Sequence, residues 1–265
     1  MKRFFFLAAS LLQLTCWAQK SSEREWFVDS RALFDLRYTA HDRAALAEYA
    51  MLFENGVAVT QAFFGSKFPK RFEVVFQPNR SSLDVTWQRD WNAPDFKSEC
   101  WMVASGIATK VDILSPSQWK AEACEHNFSD KTKTQQLVTH ELVHVYHGQK
   151  NASPDFSNTN GLDWFVEGLA TYASGQCDSL RLAQVSEAVR TNQAPNTLDK
   201  FWSGKLKYGL AGSVVFYIDQ KYGRTKLASL LTFNTKSEVL SSLGVTEQTL
   251  LTEWKTFMLK PKDDN

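Results

Sequence analysis

The stretch HELVH, residues 140–144, decides which fold to expect for this chain. It lies within residues 131–147, where the sequence has helical character. On a helix, His140 and His144 stand one turn apart on the same face, and two imidazoles at that spacing can hold one zinc ion. Glu141 points to the side of such an ion, where it can reach a bound water without being a ligand.

A catalytic zinc ion needs a third protein ligand, and His147 is one candidate. It lies on the same helix face, but it stands too far along the axis, because one helical turn rises about 5.4 Å. The longer pattern, in which a third histidine ends the motif, also fails because Lys150 occupies that place. We therefore interpret His147 as a histidine that either lies next to the metal ligands without binding the ion or lies at the surface.

Glu167, in DWFVEGLATY, is the better candidate for the third ligand. The segment between His144 and Glu167 leaves room for a turn, the polar loop 148–161 and an antiparallel helix that returns this glutamate to the histidines. Gly168 and Ala170 permit close helix–helix approach. The alternative is a solvated glutamate on the surface of a helix. The neighbours of Glu167, such as Leu169, are apolar, however, and a carboxylate among apolar residues is costly unless it has a partner.

Strands come early in the chain and helices come late, which favours an α+β fold. Strands are expected within 26–38, at Phe72–Phe76 and as two short strands around Gly106, whereas 79–98 reads as polar and irregular. Besides the helix around HELVH, helices are expected at about 42–64, 162–174, 178–191, 208–222 and 246–259. No clear boundary is visible, so residues 19–265 are treated as one domain with two lobes either side of the active-site helix.

The N-terminus has the features of a signal peptide over residues 1–18. Lys2 and Arg3 precede a mostly apolar run from Phe4 to Leu12, and cleavage is expected near Ala18. The alternative is a membrane anchor, but the run is shorter than the ~20 residues of a spanning helix. The prediction is export to the periplasm or the extracellular space, with no stable membrane span.

The charge of the mature chain bears on whether it can bind nucleic acid. Cleavage would remove two of the 30 basic residues and none of the 29 acidic ones, which leaves 28 against 29 and a net charge of −1. Nothing in this balance suggests a nucleic-acid surface.

Export permits disulfides among the three cysteines of the mature chain. Cys100 and Cys124 are the favoured pair because they flank one compact segment, which leaves Cys177 over. The alternative is three buried thiols.

Three segments together resemble the gluzincin metallopeptidases, most closely the peptidase MA-like domains: HELVHVYHGQ, WFVEGLATYASG and KYGLAGSVVFYIDQKYG. The likeness covers roughly residues 26–258 and is strong from 100 onward. It implies a zincin-like fold, with an N-terminal mixed sheet, helices and the active-site helix, and a mainly helical C-terminal lobe. It also implies one zinc ion per chain, and it assigns roles to individual residues. These are ligation by His140, His144 and Glu167, catalysis by Glu141, and a helix-leading tyrosine at Tyr208.

The resemblance and the residues agree on a secreted zinc metallopeptidase that acts on peptide or protein substrates. Glu141 would be the general base, and Tyr208 the candidate donor to the developing oxyanion. An extended substrate could pair with an edge strand from Ala104–Leu114. One departure is Thr171, where relatives carry an aspartate that supports a ligand histidine. Two alternatives stay open: a secreted binding module that lost catalysis, and a zinc hydrolase of a non-peptide amide.

Overall fold

A mixed β-sheet forms the N-terminal part of the computed structural model, which describes residues 25–260. The predicted signal peptide and its cleavage site lie outside the described residues. The strand order is β1-β2-β3-β5-β4. The three central strands are parallel, whereas each edge strand pairs antiparallel with its neighbour. The strands are β1 (Trp26–Ser30), β2 (Phe34–Thr39), β3 (Phe72–Gln77), β4 (Ala104–Ile107) and β5 (Lys110–Leu114).

Residues 25–260 also contain ten α-helices, most of them in the C-terminal half. Those in the first half are α1 (Leu46–Phe64), α2 (Arg80–Asp90), α3 (Trp119–Glu122) and α4 (Lys131–Gly148). Those that follow are α5 (Asp163–Ala173), α6 (Ser179–Arg190), α7 (Lys207–Tyr222), α8 (Arg224–Ser229), α9 (Lys236–Leu243) and α10 (Glu247–Met258). The expected α+β class is confirmed, and the expected helices at 42–64, 131–147, 162–174, 178–191, 208–222 and 246–259 are present within a few residues.

The alternation of apolar residues along the strands determines which face of the sheet is buried. Phe72, Val74 and Phe76 of β3 are buried, and their side chains share one face because successive strand residues point to opposite sides. Helices α1 and α4 pack closely together. A Cβ atom at Gly56 of α1 would lie 2.6 Å from Leu142 Cδ1, so a larger residue here would require the Leu142 side chain to shift.

The expectation of an irregular segment over 79–98 is wrong, because α2 occupies much of it. Asn79 caps this helix, since its side-chain oxygen accepts a hydrogen bond from the backbone N–H of Ser82. Leu83 and Trp87, one turn apart, are both buried. The third buried residue of this helix is the polar Asp84, and two buried apolar positions are too weak a period to recognise in the sequence.

Two further elements differ from the expectation. Residues 26–38 hold two antiparallel strands where one was expected. Helix α9 was not predicted, although Thr235 and Glu238 form a capping box at its start. Within residues 25–260, no helix combines the length and the hydropathy needed to cross a membrane.

A disulfide between Cys100 and Cys124 confirms the favoured cysteine pair. The two residues are 24 positions apart, and their Cα atoms are separated by 5.3 Å. The segment between them contains β4 and β5, the outer strand pair of the sheet. The disulfide therefore ties down the edge of the sheet that adjoins α4.

Candidate metal centre

The histidines of HELVH lie in the buried C-terminal half of α4. The helix begins at a cap, because the Asp130 carboxylate accepts a hydrogen bond from the backbone N–H of Lys133. His140 and His144 are each buried, and their Nε2 atoms are 3.1 Å apart. Both imidazoles therefore point at the same place, as the i, i+4 spacing predicts.

Helix α5 brings Glu167 to the two imidazoles, as the sequence predicts. Its carboxylate Oε2 lies 3.3 Å from Nε2 of His140 and 3.6 Å from Nε2 of His144. The helix reaches this place by packing closely on α7. A Cβ atom at Gly168 would overlap the carbonyl oxygen of Ala211, so only glycine allows the approach.

The three ligand atoms fit a tetrahedral cation. Zinc bonds to nitrogen and carboxylate oxygen of about 2.0–2.2 Å place tetrahedral ligand atoms roughly 3.3–3.5 Å apart. The separations of 3.1, 3.3 and 3.6 Å between the donor atoms bracket that value. Two neutral imidazoles and one carboxylate are also a donor set that suits zinc. His140, His144 and Glu167 could therefore hold one zinc ion.

The charge state of Glu167 suits a ligand. Burial by itself would raise the pKa of this carboxyl, but the neighbouring His144 and His140 hold it well below its usual range. Glu167 is therefore ionised at neutral pH. An anionic oxygen that faces two imidazole nitrogens forms a site for a cation.

Gln176 contacts the ring nitrogen of His140 that does not face the other two candidate ligands. Its side-chain oxygen lies 2.9 Å from Nδ1 of His140, so the ring can donate from Nδ1 and leave Nε2 for a metal ion. Thr171, at the place where the predicted resemblance would put a supporting aspartate, has a buried hydroxyl with no hydrogen-bond partner in the described part of the chain. A neutral amide from the loop after α5 thus takes the supporting position.

Replacing Gln176 by alanine is expected to weaken zinc binding by about 10–100-fold, the usual effect of losing such a partner. The ring of His140 would lose the acceptor that fixes its tautomer. The measurement is a titration with a competing chelator. Gln184→Ala is the matched control, because Gln184 also lines the cleft but contacts none of the three ligands. Equal affinity for zinc in the two variants would contradict the role of Gln176.

Glu141 lies beside the group of three ligands and is not part of it. Burial raises the pKa of Glu141 to about 7; His140 opposes this shift, and the negative charge of Glu167 adds to it. The backbone N–H of Gly106 also interacts with the Glu141 carboxylate. A carboxylate with a pKa close to neutrality is matched to the task of a general base.

The edge strand β4 lies directly against the helix that carries the histidines. A Cβ atom at Gly106 would overlap the backbone carbonyl of Glu141 and would lie 3.2 Å from Cβ of His144. The missing side chain therefore lets strand and helix meet backbone to backbone. This contact places an open strand edge next to the candidate metal centre.

Tyr208, in the first turn of α7, lines the same cleft. Its ring centroid lies 6.4 Å from that of His140, and the ring of Trp202 packs edge-on against it at 4.8 Å. Burial, together with the charges of Glu167 and Glu141, raises the pKa of Tyr208. Its hydroxyl therefore stays protonated at neutral pH and can act as a donor.

His147 is fully buried, so the surface alternative of its interpretation is wrong. Its ring packs edge-on against Phe156 and Phe165, at centroid distances of 5.0 and 5.9 Å. It is outside the group of three ligands, as the distance along the helix axis predicts. Burial lowers the pKa of His147 to about 3, so the ring is neutral at neutral pH and packs among the buried residues of the core.

A cleft of about 1090 Å³ is lined by the three candidate ligands together with Glu141, Gln176 and Tyr208. One wall is β4, the floor is α4 with α5, and the other wall includes the segment that leads into α7. Trp101 and Glu125, each next to a cysteine of the disulfide, also line it. The space is large enough for several residues of an extended peptide.

Comparison with known proteins does not assign this chain to a family. No family model matches the sequence, and no curated protein matches it. The resemblance to the gluzincin metallopeptidases therefore stays a prediction. The arrangement of His140, His144, Glu167 and Glu141 is what carries the argument for function.

Proposed function

We propose that this protein is an exported zinc-dependent metallopeptidase. The observation that supports it most is the convergence of three ligand atoms beside a buried glutamate of raised pKa, in a cleft bordered by an open strand edge. The disulfide and the signal-peptide pattern both favour an oxidising compartment outside the cytoplasm.

When bound, zinc would acidify a water molecule and polarise the scissile carbonyl. Glu141 takes up the proton of the attacking water and passes it to the leaving amine. Tyr208, which stays protonated, donates a hydrogen bond to the oxygen that becomes negatively charged. The free edge of β4 binds the peptide in extended form through main-chain hydrogen bonds.

The proposal predicts that peptide hydrolysis depends on stoichiometric zinc. Metal-free protein should be inactive on a library of unfolded peptides, and activity should appear as zinc is added and level off near one equivalent per chain. Mass spectrometry of the digest gives the products, and elemental analysis gives the bound metal. Zinc binding without cleavage of any peptide would favour the binding-module alternative.

A further inference from the structure

A second cavity, of about 630 Å³, lies next to the cleft on the far side of β4. Five residues line both spaces, so the two surfaces are continuous around the edge of this strand. These shared residues are Trp91, Ser105, Ile107, Asp155 and Phe156. Ser105 and Ile107 enter the mechanism proposed above only through the main chain of β4, and the side chains of all five residues have no role in it.

Strand alternation shows how a peptide in the cleft would reach this cavity. The missing side chain of Gly106 would point at α4, so Ser105 and Ile107 point to the opposite face of the sheet. A peptide extended along β4 alternates in the same way. Where one of its side chains faces the metal centre, the next side chain faces the second cavity.

Trp91 forms a flat, supported wall of this cavity. Its ring is stacked on that of Trp87, with centroids 5.0 Å apart and an interplanar angle of 15°, and the ring of Phe96 meets it edge-on. Trp87 is only 1% exposed, whereas Trp91 is 43% exposed. One face of Trp91 is therefore held in place, and much of the ring is open to a ligand.

Phe156 separates the cavity from the metal centre. Its φ is +60°, which is uncommon for any residue other than glycine. The turn around it is held because Asp155 accepts hydrogen bonds from the backbone N–H and the hydroxyl of Ser157, at 3.1 and 2.8 Å. The Phe156 ring lies 6.0 Å from that of His144. A backbone held in this conformation keeps the ring at the junction of the two spaces.

The charge of the cavity is negative. Asp90, Asp112 and Asp155 line it together with Lys110, whose ammonium contacts the first two carboxylates. Arg89 also pairs with Asp90, so three carboxylates face two cations and one negative charge is left over. Hydrogen bonds from Ser157 lower the pKa of Asp155, so this third carboxylate is also ionised at neutral pH. A negative pocket with exposed aromatic faces is complementary to a flat cation, and a guanidinium stacks on such faces.

We propose that this cavity is a subsite for an arginine side chain of the peptide substrate, adjacent to the residue that faces the metal centre. The proposal takes its peptide substrate from the proposed function. The side chain itself is bound by Trp91, Phe156 and the carboxylates, without help from a metal ion. Binding can therefore be tested apart from catalysis.

The test compares two capped peptides that differ at one position, arginine in one and citrulline in the other. Citrulline keeps the shape of arginine and lacks its charge. Calorimetric titration of the full, metal-free protein should show about tenfold tighter binding of the arginine peptide, the size of effect that cation–π contacts typically give. Trp91→Ala should reduce the difference from about tenfold to about threefold, the part that Phe156 and the carboxylates still supply, and Trp91→Phe should keep more of it.

Trp26→Ala is the matched control, because Trp26 is 38% exposed and lies on β1 at the opposite edge of the sheet. It should keep the full preference for arginine. Thermal unfolding of each variant checks that the loss of the Trp87 contact leaves the protein folded. Equal binding of the two peptides by the natural protein, or tighter binding of a peptide with phenylalanine at that position, would overturn the subsite.

The two proposals fail in different ways. If the zinc-loaded protein cleaves peptides but does not prefer arginine, the subsite is wrong and the hydrolytic function stands. If the arginine peptide binds selectively but no peptide is cleaved, the subsite stands and the hydrolytic function is wrong.

Discussion

Replacing Glu141 by glutamine is expected to lower the rate of peptide hydrolysis by at least about a hundredfold, since general-base help is worth roughly 10²–10⁴ in rate. Glutamine keeps the shape of the side chain and cannot take up the proton. Bound zinc should stay at the level of the natural protein, because Glu141 is not one of the three converging ligands. The measurement is kcat/KM on a cleaved peptide, together with elemental analysis of the same sample.

The control for this variant is Glu187→Gln, the same chemical change on an exposed part of α6 where Glu187 pairs with Arg190. It should leave both rate and zinc content unchanged. If Glu141→Gln kept most of its activity with zinc bound, the metal would have a structural role. The binding-module alternative would then explain the protein better.

Replacing Glu167 by alanine is expected to weaken zinc binding by more than about a hundredfold. Loss of a residue that only hydrogen-bonds to a ligand typically weakens binding about 10–100-fold, and loss of a ligand itself should have a larger effect. The change removes the anionic donor that lies 3.3 and 3.6 Å from the two imidazole nitrogens. Chelator competition and elemental analysis measure the loss, and activity should disappear with the metal.

Asp163→Asn is the control for the Glu167 variant. Asp163 lies one turn earlier on the same helix and lines the same cleft, but it is outside the group of three ligands. Its replacement should leave zinc in place. Full zinc retention by Glu167→Ala would remove that residue from the site and leave only the two histidines as its protein ligands.

The parts of the site that the sequence predicts are those set by spacing along one helix. The i, i+4 relation of His140 and His144 requires only that α4 form. Glu167 is less direct, since it depends on a loop and a second helix, but Gly168 signals the close packing that brings α5 to its place. In both cases a local pattern specifies a contact that is made over a short stretch of chain.

The parts that the sequence does not predict depend on contacts between distant segments. Gln176 follows α5 in a short loop, and no spacing rule links it to His140, 36 residues earlier. Trp91 and Phe156 come from segments that read as polar and irregular, and only the folded chain brings both beside β4. The surface alternative for His147 is wrong for the same reason, since Phe156 of the following loop helps to bury it.

The disulfide between Cys100 and Cys124 has a thermodynamic consequence for the cleft. It closes a loop around β4 and β5, and in the chain-entropy account a loop of that length destabilises the unfolded state by about 3.5 kcal/mol. That is a large part of the roughly 5–15 kcal/mol that keeps an ordinary domain folded. The four-residue strand beside the candidate metal centre thus gains stability from a covalent link that a reducing environment would remove. Reduction would therefore lower the cost of unfolding the wall of the cleft.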